Sequence, residues 1–222
     1  MVDADLAAGD SRVIKRAAAA ASLHSRRRKL KLFLDFMRPT EETTVVDVGV
    51  ADTPFGEGEG QALTHNFFEA LYPWPERITA VGNVPLANFA QAFPQIRTVV
   101  ADGRELPFAD REFDVAFSNA VVEHVGGRED QERFCHELCR IAKRVFVTTP
   151  NRLFPVDPHT LLPFVHWLPE GRRPRSLDHV RPLSARELRS VFPYRVRIVR
   201  TGFTLVAVGE APSDPGPPAR TD

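Results

Sequence analysis

The feature that most constrains this chain is a repeated alternation of short apolar runs with helical patterns. Residues 44–48, 78–81, 97–101, 114–118 and 144–148 are β-rich and mostly apolar, as expected of strands buried on both faces. Between them, residues 64–71, 85–93 and 128–142 carry helical patterns. Strands alternating with helices imply βαβ units and a parallel sheet covered on both faces, joined by right-handed crossovers. Residues 195–200 and 203–210 add two more strands across the tight turn Thr201-Gly202, which suits an antiparallel pair. The expected fold is α/β: a doubly wound, mostly parallel seven-stranded sheet with an antiparallel last strand.

Three segments flank or interrupt this rhythm. Residues 12–38 read as a helix, because the Ala17–Ala21 run has high helix propensity and Leu30, Phe33, Leu34 and Met37 recur at helical spacing. Its cluster Arg26-Arg27-Arg28-Lys29, with Lys31, reads as a solvated helix face; a patch for nucleic acid or an anionic membrane is the alternative. Prolines 150, 155, 158, 163, 169, 174 and 182 rule out a long regular helix across residues 150–183. That stretch also holds Leu153, Phe154, Leu161, Leu162, Phe164, Val165, Trp167 and Leu168, and a proline-rich but apolar insertion reads as a packed lid. Ser184, with Glu187 three residues on, forms a capping box for a helix to Phe192. Residues 211–222 are rich in Pro, Gly and Ser and read as a disordered tail. The expected organisation is a helical segment over 1–40, a domain over 41–210 with its lid insertion, and the tail.

Composition narrows the function classes. With 29 basic and 29 acidic residues the formal charge is zero, unlike a dedicated nucleic-acid binder. Two cysteines, Cys135 and Cys139, imply no disulfide framework and lack the paired ligand spacing of a zinc site, so both read as core residues and no metal is expected. Residues 1–10 are acidic with no long apolar run and cleavage site after them, and no stretch is long enough to span a bilayer. The expectation is a cytoplasmic protein with a small-molecule partner; a homodimer stays open.

In an open α/β sheet, ligands bind beyond the carboxyl ends of the strands. The residues there are Asp47, Gly49, Val50 and Ala51 after the first strand, and Gly82 and Asn83 after the second. Asp102 and Gly103 follow the third, and Asn119, Ala120 and Glu123-His124 the fourth. In order, Val45-Val46-Asp47-Val48-Gly49, Ala101-Asp102-Gly103 with Leu106-Pro107-Phe108, Phe113-Asp114-Val115-Ala116-Phe117-Ser118-Asn119 and Val122-Glu123-His124-Val125 resemble the class I S-adenosylmethionine-dependent methyltransferases. The likeness is strongest to their small-molecule subgroup and covers residues 40–150.

The resemblance implies a Rossmann-like sheet, S-adenosylmethionine as cofactor, and methyl transfer to a small-molecule, glycan or lipid-like acceptor. By position it implies that Asp102 accepts from the adenine amino group and that Asn119 and Ala120 underlie the methionine moiety. Asp47 would attract the cofactor's amino group. Turn capping is the competing role for Asp47 and Asp102. Two departures stand out. Asn83 occupies the position where the family has an acid for the ribose hydroxyls, and Gly49-Val50-Ala51-Asp52-Thr53 replaces the Gly-x-Gly-x-Gly loop. Asn66 and Glu69 then either assist the loop or serve as a helix cap and a solvated-face residue. These departures motivate an alternative: a methyltransferase fold that binds a ligand or partner without transferring methyl. A dinucleotide-dependent dehydrogenase is disfavoured by the absence of Gly-x-Gly-x-x-Gly.

Methyl transfer needs alignment and water exclusion, and a base only where the acceptor must lose a proton. His124 is the nearest candidate base, followed by the lid histidines His159 and His166; each also reads as a structural residue. Phe154, Phe164 and Trp167 read either as an acceptor pocket or as lid core.

Overall fold

The computed structural model describes residues 23–53, 66–156, 163–168, 172, 175–177 and 179–212. Helix α1 covers residues 23–37, followed by β1 (Val45–Val48), α2 (Phe67–Leu71), β2 (Ile78–Gly82), α3 (Ala87–Ala92) and β3 (Arg97–Val100). Then come β4 (Phe113–Asn119), α4 (Arg128–Ile141), β5 (Ala142–Pro150), α5 (Ala185–Ser190), β6 (Arg197–Thr201) and β7 (Thr204–Glu210). The seven strands lie in the order β3-β2-β1-β4-β5-β7-β6. The first five are mutually parallel, and β7 runs antiparallel to both β5 and β6. The doubly wound, mostly parallel sheet expected from the sequence is therefore present, its antiparallel strand last in the chain. Residues 12–22 of the expected first helix lie outside the described residues, as do 213–222 of the tail.

Strand alternation builds one core on each face. Val46, Val48, Ala116, Val145 and Val147 face α4 and α5, where they meet Phe134, Cys135, Leu138 and Leu188. Val45, Val115, Phe117 and Phe146 face the other way, onto Phe33, Met37, Phe67, Phe68 and Phe89 from α1, α2 and α3. That second core is aromatic, with Phe68 stacked on Phe117 at 4.0 Å and Phe33 edge-on to both Phe68 and Phe117. Both cysteines are buried in the first core, as expected.

Helix ends are set by local chemistry. In α4 the Asp130 carboxylate accepts from the Gly127 N–H, and Arg140 sits in the last turn, charges placed to suit the helix dipole. The capping box of α5 is complete: the Glu187 N–H donates to Ser184 Oγ, and the Ser184 N–H donates to Glu187 Oε2. The described part of 150–183 packs into a small cluster of its own around Val165, Leu177 and Val180. It is tied to the domain by the Arg181 N–H, which donates to the Glu123 carbonyl, and by Gln131, whose side-chain amide donates to the Arg181 carbonyl.

Candidate functional site

The parallel strands end together, and their tips enclose a cleft of about 360 Å³, within the size range of small-molecule sites. Ser118 holds two tips in place by donating its buried hydroxyl to the Val48 carbonyl at 2.8 Å. The Gly49 and Val50 N–H groups both donate to the Val81 carbonyl, drawing the chain after β1 against β2. Gly49 sits at φ +107°, and a Cβ there would overlap the Val121 side chain. Gly103 is also tight, since a Cβ would meet the Phe134 ring at 2.6 Å. Glycine at both positions lets the backbone form the cleft wall.

Of the residues expected from the sequence, Gly49, Val50, Gly82, Asn83, Asp102, Gly103, Ala120 and His124 line this cleft. Ala120 adopts the left-handed conformation, at φ 57°. Val121, Val125 and Phe134 form an apolar wall that the sequence reading did not include. Asp102 is not idle: its carboxylate accepts from the Arg104 N–H and guanidinium, and Arg104 also pairs with Asp130. The Arg104 hydrogen bonds hold the Asp102 carboxyl below its ordinary range. Turn capping is thus present at Asp102, while the side chain stays half exposed at the cleft.

Asp47 and Asn119 line a second, much smaller cavity of about 20 Å³ that shares Gly49 and Val50 with the cleft. It has room for little more than one water-sized group. Asp47 there meets Glu69 of α2, and both carboxyls are buried. Burial pushes Asp47 well above the usual carboxylate range, and the Glu69 charge and a hydrogen bond to Glu69 add to the shift. Burial raises Glu69 as well. Two acids sharing a hydrogen bond in a dry site hold a proton between them. Glu69 Oε1 has no hydrogen-bond partner, so an unsatisfied acceptor faces the cavity region. The expectation of a solvated Glu69 is overturned: in a five-residue helix flanked by Phe67, Phe68 and Tyr72, its position is interior.

Of the two roles open to Asn66, the structure favours assistance to the loop over capping. It stands at the N-cap position of α2 without capping it. Its side-chain amide instead donates to the Ala51 carbonyl at 2.9 Å and accepts from the Ala51 N–H at 3.3 Å. Ala51 therefore lines neither cavity; it is the point where the loop is clamped. Asp52 continues the restraint by accepting from the Phe89 N–H of α3. Side chains thus fix a loop that lacks a Gly-x-Gly-x-Gly run.

The basic cluster of α1 is also corrected at one position. Arg27, Arg28 and Lys31 are exposed, but Lys29 turns inward and donates to Asn119 Oδ1 at 2.8 Å. Thr148 donates to the same oxygen at 2.8 Å. Burial pushes the Lys29 amine down to about 8, against the pull of Glu123. The Asn119 side chain is therefore set by α1 and β5, and it faces the smaller cavity rather than the cleft.

Glu123 completes this polar interior. It is fully buried, accepts from Thr149 Oγ1 at 2.8 Å, and leaves Oε1 without a hydrogen bond, 4.0 Å from His124 Nε2. Burial raises its carboxyl to about 7. The His124 ring lies 5.6 Å from that of His179. In the insertion, His159 lies outside the described residues, and of His166 only the backbone is described. Trp167 is half exposed beside Phe164, donates its indole N–H to the Arg152 carbonyl, and does not line the cleft. Among the described residues, no three His, Cys, Asp or Glu side chains gather where a metal ion could be held, and no helix is long and apolar enough to cross a membrane.

Comparison with known proteins agrees with this geometry. A family profile described as a methyltransferase domain matches residues 56–145. A probable S-adenosylmethionine-dependent methyltransferase from two strains of Mycobacterium tuberculosis is 29% identical over 126 residues, which cover 55% of this chain and 38% of the relative. The chain thus matches well under half the length of those curated relatives. Among solved structures, the PH0226 protein of Pyrococcus horikoshii superposes with a TM-score of 0.58 at 13% identity, covering 85% of this chain and 91% of that one. The N-methyltransferase NodS of Bradyrhizobium japonicum, solved with S-adenosyl-L-homocysteine, gives 0.56 at 15% identity over 85% and 87%. Motif order, strand order and sequence match thus agree in making the chain similar to S-adenosylmethionine-dependent methyltransferases, and it shares the fold of the solved structures named above.

Proposed function

We propose that the protein transfers a methyl group from S-adenosylmethionine to a small-molecule, glycan or lipid-like acceptor by in-line displacement. The observation that carries this reading is the convergence of four strand tips on one cleft whose walls are glycine backbone and apolar side chains.

The residues fit the cofactor at both ends. The apolar wall of Val121, Val125 and Phe134, with Asp102 and Gly103 at its edge, suits a flat base that offers an amino group. The buried acids Asp47 and Glu69, one oxygen unsatisfied, suit a cationic amino-acid end. Asn83, exposed at the mouth, offers an uncharged donor and acceptor to hydroxyls. When bound, the cofactor supplies an electrophilic methyl group on a sulfonium. The chain's part is then to hold the acceptor in line and exclude water, with the described part of 150–183, tied to the domain through the Glu123 carbonyl and Gln131, as the lid. An acceptor O–H or N–H passes its proton to His124, whose imidazolium is steadied by the free oxygen of Glu123.

Calorimetric titration with S-adenosylmethionine and S-adenosylhomocysteine tests the reading. Binding of both is expected; no heat and no thermal shift at saturation would leave only the inactive-fold alternative. Asp102→Ala is expected to weaken binding about tenfold while leaving thermal stability nearly unchanged, because its ion pair is exposed. Unchanged affinity would remove Asp102 from the site. Once an acceptor is found by label incorporation, His124→Ala is expected to lower kcat by about a hundredfold with cofactor affinity intact. Equal losses in both would mark a packing role.

A further inference from the structure

Another cavity is larger than the strand-tip cleft. It measures about 760 Å³ and lies at the opposite edge of the sheet, where β5 and β6 begin and β7 ends. Four arginines line it: Arg144, Arg189, Arg195 and Arg197, against one carboxylate, Glu210. In a chain of zero net charge this is a strong local excess.

The arginines are held in ways that leave their charge uncompensated. Arg144 donates to the Met37 carbonyl at the end of α1, and Arg197 lies over the Phe36 ring, 5.2 Å from its centroid. Both partners are neutral. Arg189, in the last turn of α5, and Arg195, between α5 and β6, take part in no ion pair among the described residues. The floor between them is apolar, formed by Phe36, Val196, Ile198 and Val208. A concave site lined by one sign of charge focuses its field on an incoming ion. Guanidinium forks match the paired oxygens of a phosphoryl group.

We propose that this cavity binds a phosphoryl group carried on an apolar body, at a site separate from the methyl-transfer cleft. The shared chemistry is a phosphate ester, whether on a soluble compound or in a lipid headgroup. The four arginines take the phosphoryl oxygens, and the apolar floor takes the attached body. The inference stands apart from the cofactor reading, since no residue of the strand-tip cleft enters it.

The test uses the full chain. Inorganic pyrophosphate and a water-soluble short-chain phosphatidic acid are titrated by calorimetry, and flotation is measured with phosphatidylcholine vesicles with and without phosphatidic acid. The comparison protein is the double variant Arg189→Ala/Arg195→Ala, whose exposed side chains can be removed without opening the core. Binding is expected, stronger for the phosphatidic acid than for pyrophosphate, and weakened about tenfold or more in the variant. S-adenosylhomocysteine affinity and melting temperature should stay the same. Binding to vesicles as well as to the soluble lipid assigns a headgroup; binding only in solution assigns a soluble ester. No binding, or binding equal in the two proteins, overturns the proposal.

Discussion

Replacing Asp47 by Asn is expected to stabilise the free protein at alkaline pH and to weaken S-adenosylmethionine binding about tenfold to a hundredfold. Asp47 and Glu69 share a hydrogen bond in a buried site, and both carboxyls are raised above their ordinary range, by burial first. A carboxyl raised in the folded state contributes stability that is fully present below its unfolded value, near 4, and lost as pH rises through the folded value. The wild type should therefore lose stability as pH climbs and the pair is forced to ionise. An amide at 47 keeps the hydrogen bond to Glu69 and removes one ionisation, flattening that loss. The cofactor's cation reverses the balance, because it favours the ionised pair. Binding should therefore release protons, and apparent affinity should rise with pH through the titration of the pair. Melting curves from pH 6 to 9 and calorimetry in buffers of different ionisation enthalpy read both effects. A variant that destabilises at high pH while binding cofactor normally would place the pair outside the site.

Gly49→Ala is expected to cost about 2–4 kcal/mol of stability and nearly all cofactor affinity. The position combines a backbone angle of +107° with a side-chain overlap onto Val121, and neither penalty can relax cheaply. The Gly49 and Val50 N–H groups are both bonded to the Val81 carbonyl, and the Asn66 clamp lies only two residues on, at Ala51. Movement at Gly49 would therefore displace Val121 or the β1 tip, and both line the cleft. For a chain of this size the melting temperature should fall by roughly 5–15 °C. Gly127→Ala is the control: nothing lies within 4 Å of its would-be Cβ, and it should change little. A small effect at Gly49 would mean that the loop is not the rigid wall described here.

The sheet was legible because its strands are apolar on both faces, which marks a parallel sheet under helices without any knowledge of contacts. The tips followed from the same reading, since residues just past each strand must sit at one edge. Side-chain direction was less legible. The run Arg26-Arg27-Arg28-Lys29 reads as uniformly solvated, yet Lys29 precedes Phe33 and Met37 by one and two turns, on the stripe that packs against the sheet. That register was the available signal. Glu69 offered a weaker one: five helical residues are too few to show a period, and only its aromatic neighbours mark the position as interior. Asn66 was legible as a residue for the loop or the helix cap, but the choice was not, because its partner Ala51 lies 15 residues away. The arginines of the large cavity come from β5, α5 and β6 and the stretch before it, and they meet only through the pairing of β5 with β7 and β7 with β6.

The most direct test of the strand-tip cleft is a crystal structure of the protein with S-adenosylhomocysteine. The nucleoside is expected between Gly82-Asn83 and Asp102-Gly103 against Phe134, with the amino group turned toward Asp47 and Glu69. Product bound at another edge of the sheet, or an empty cleft at saturating concentration, would contradict the account.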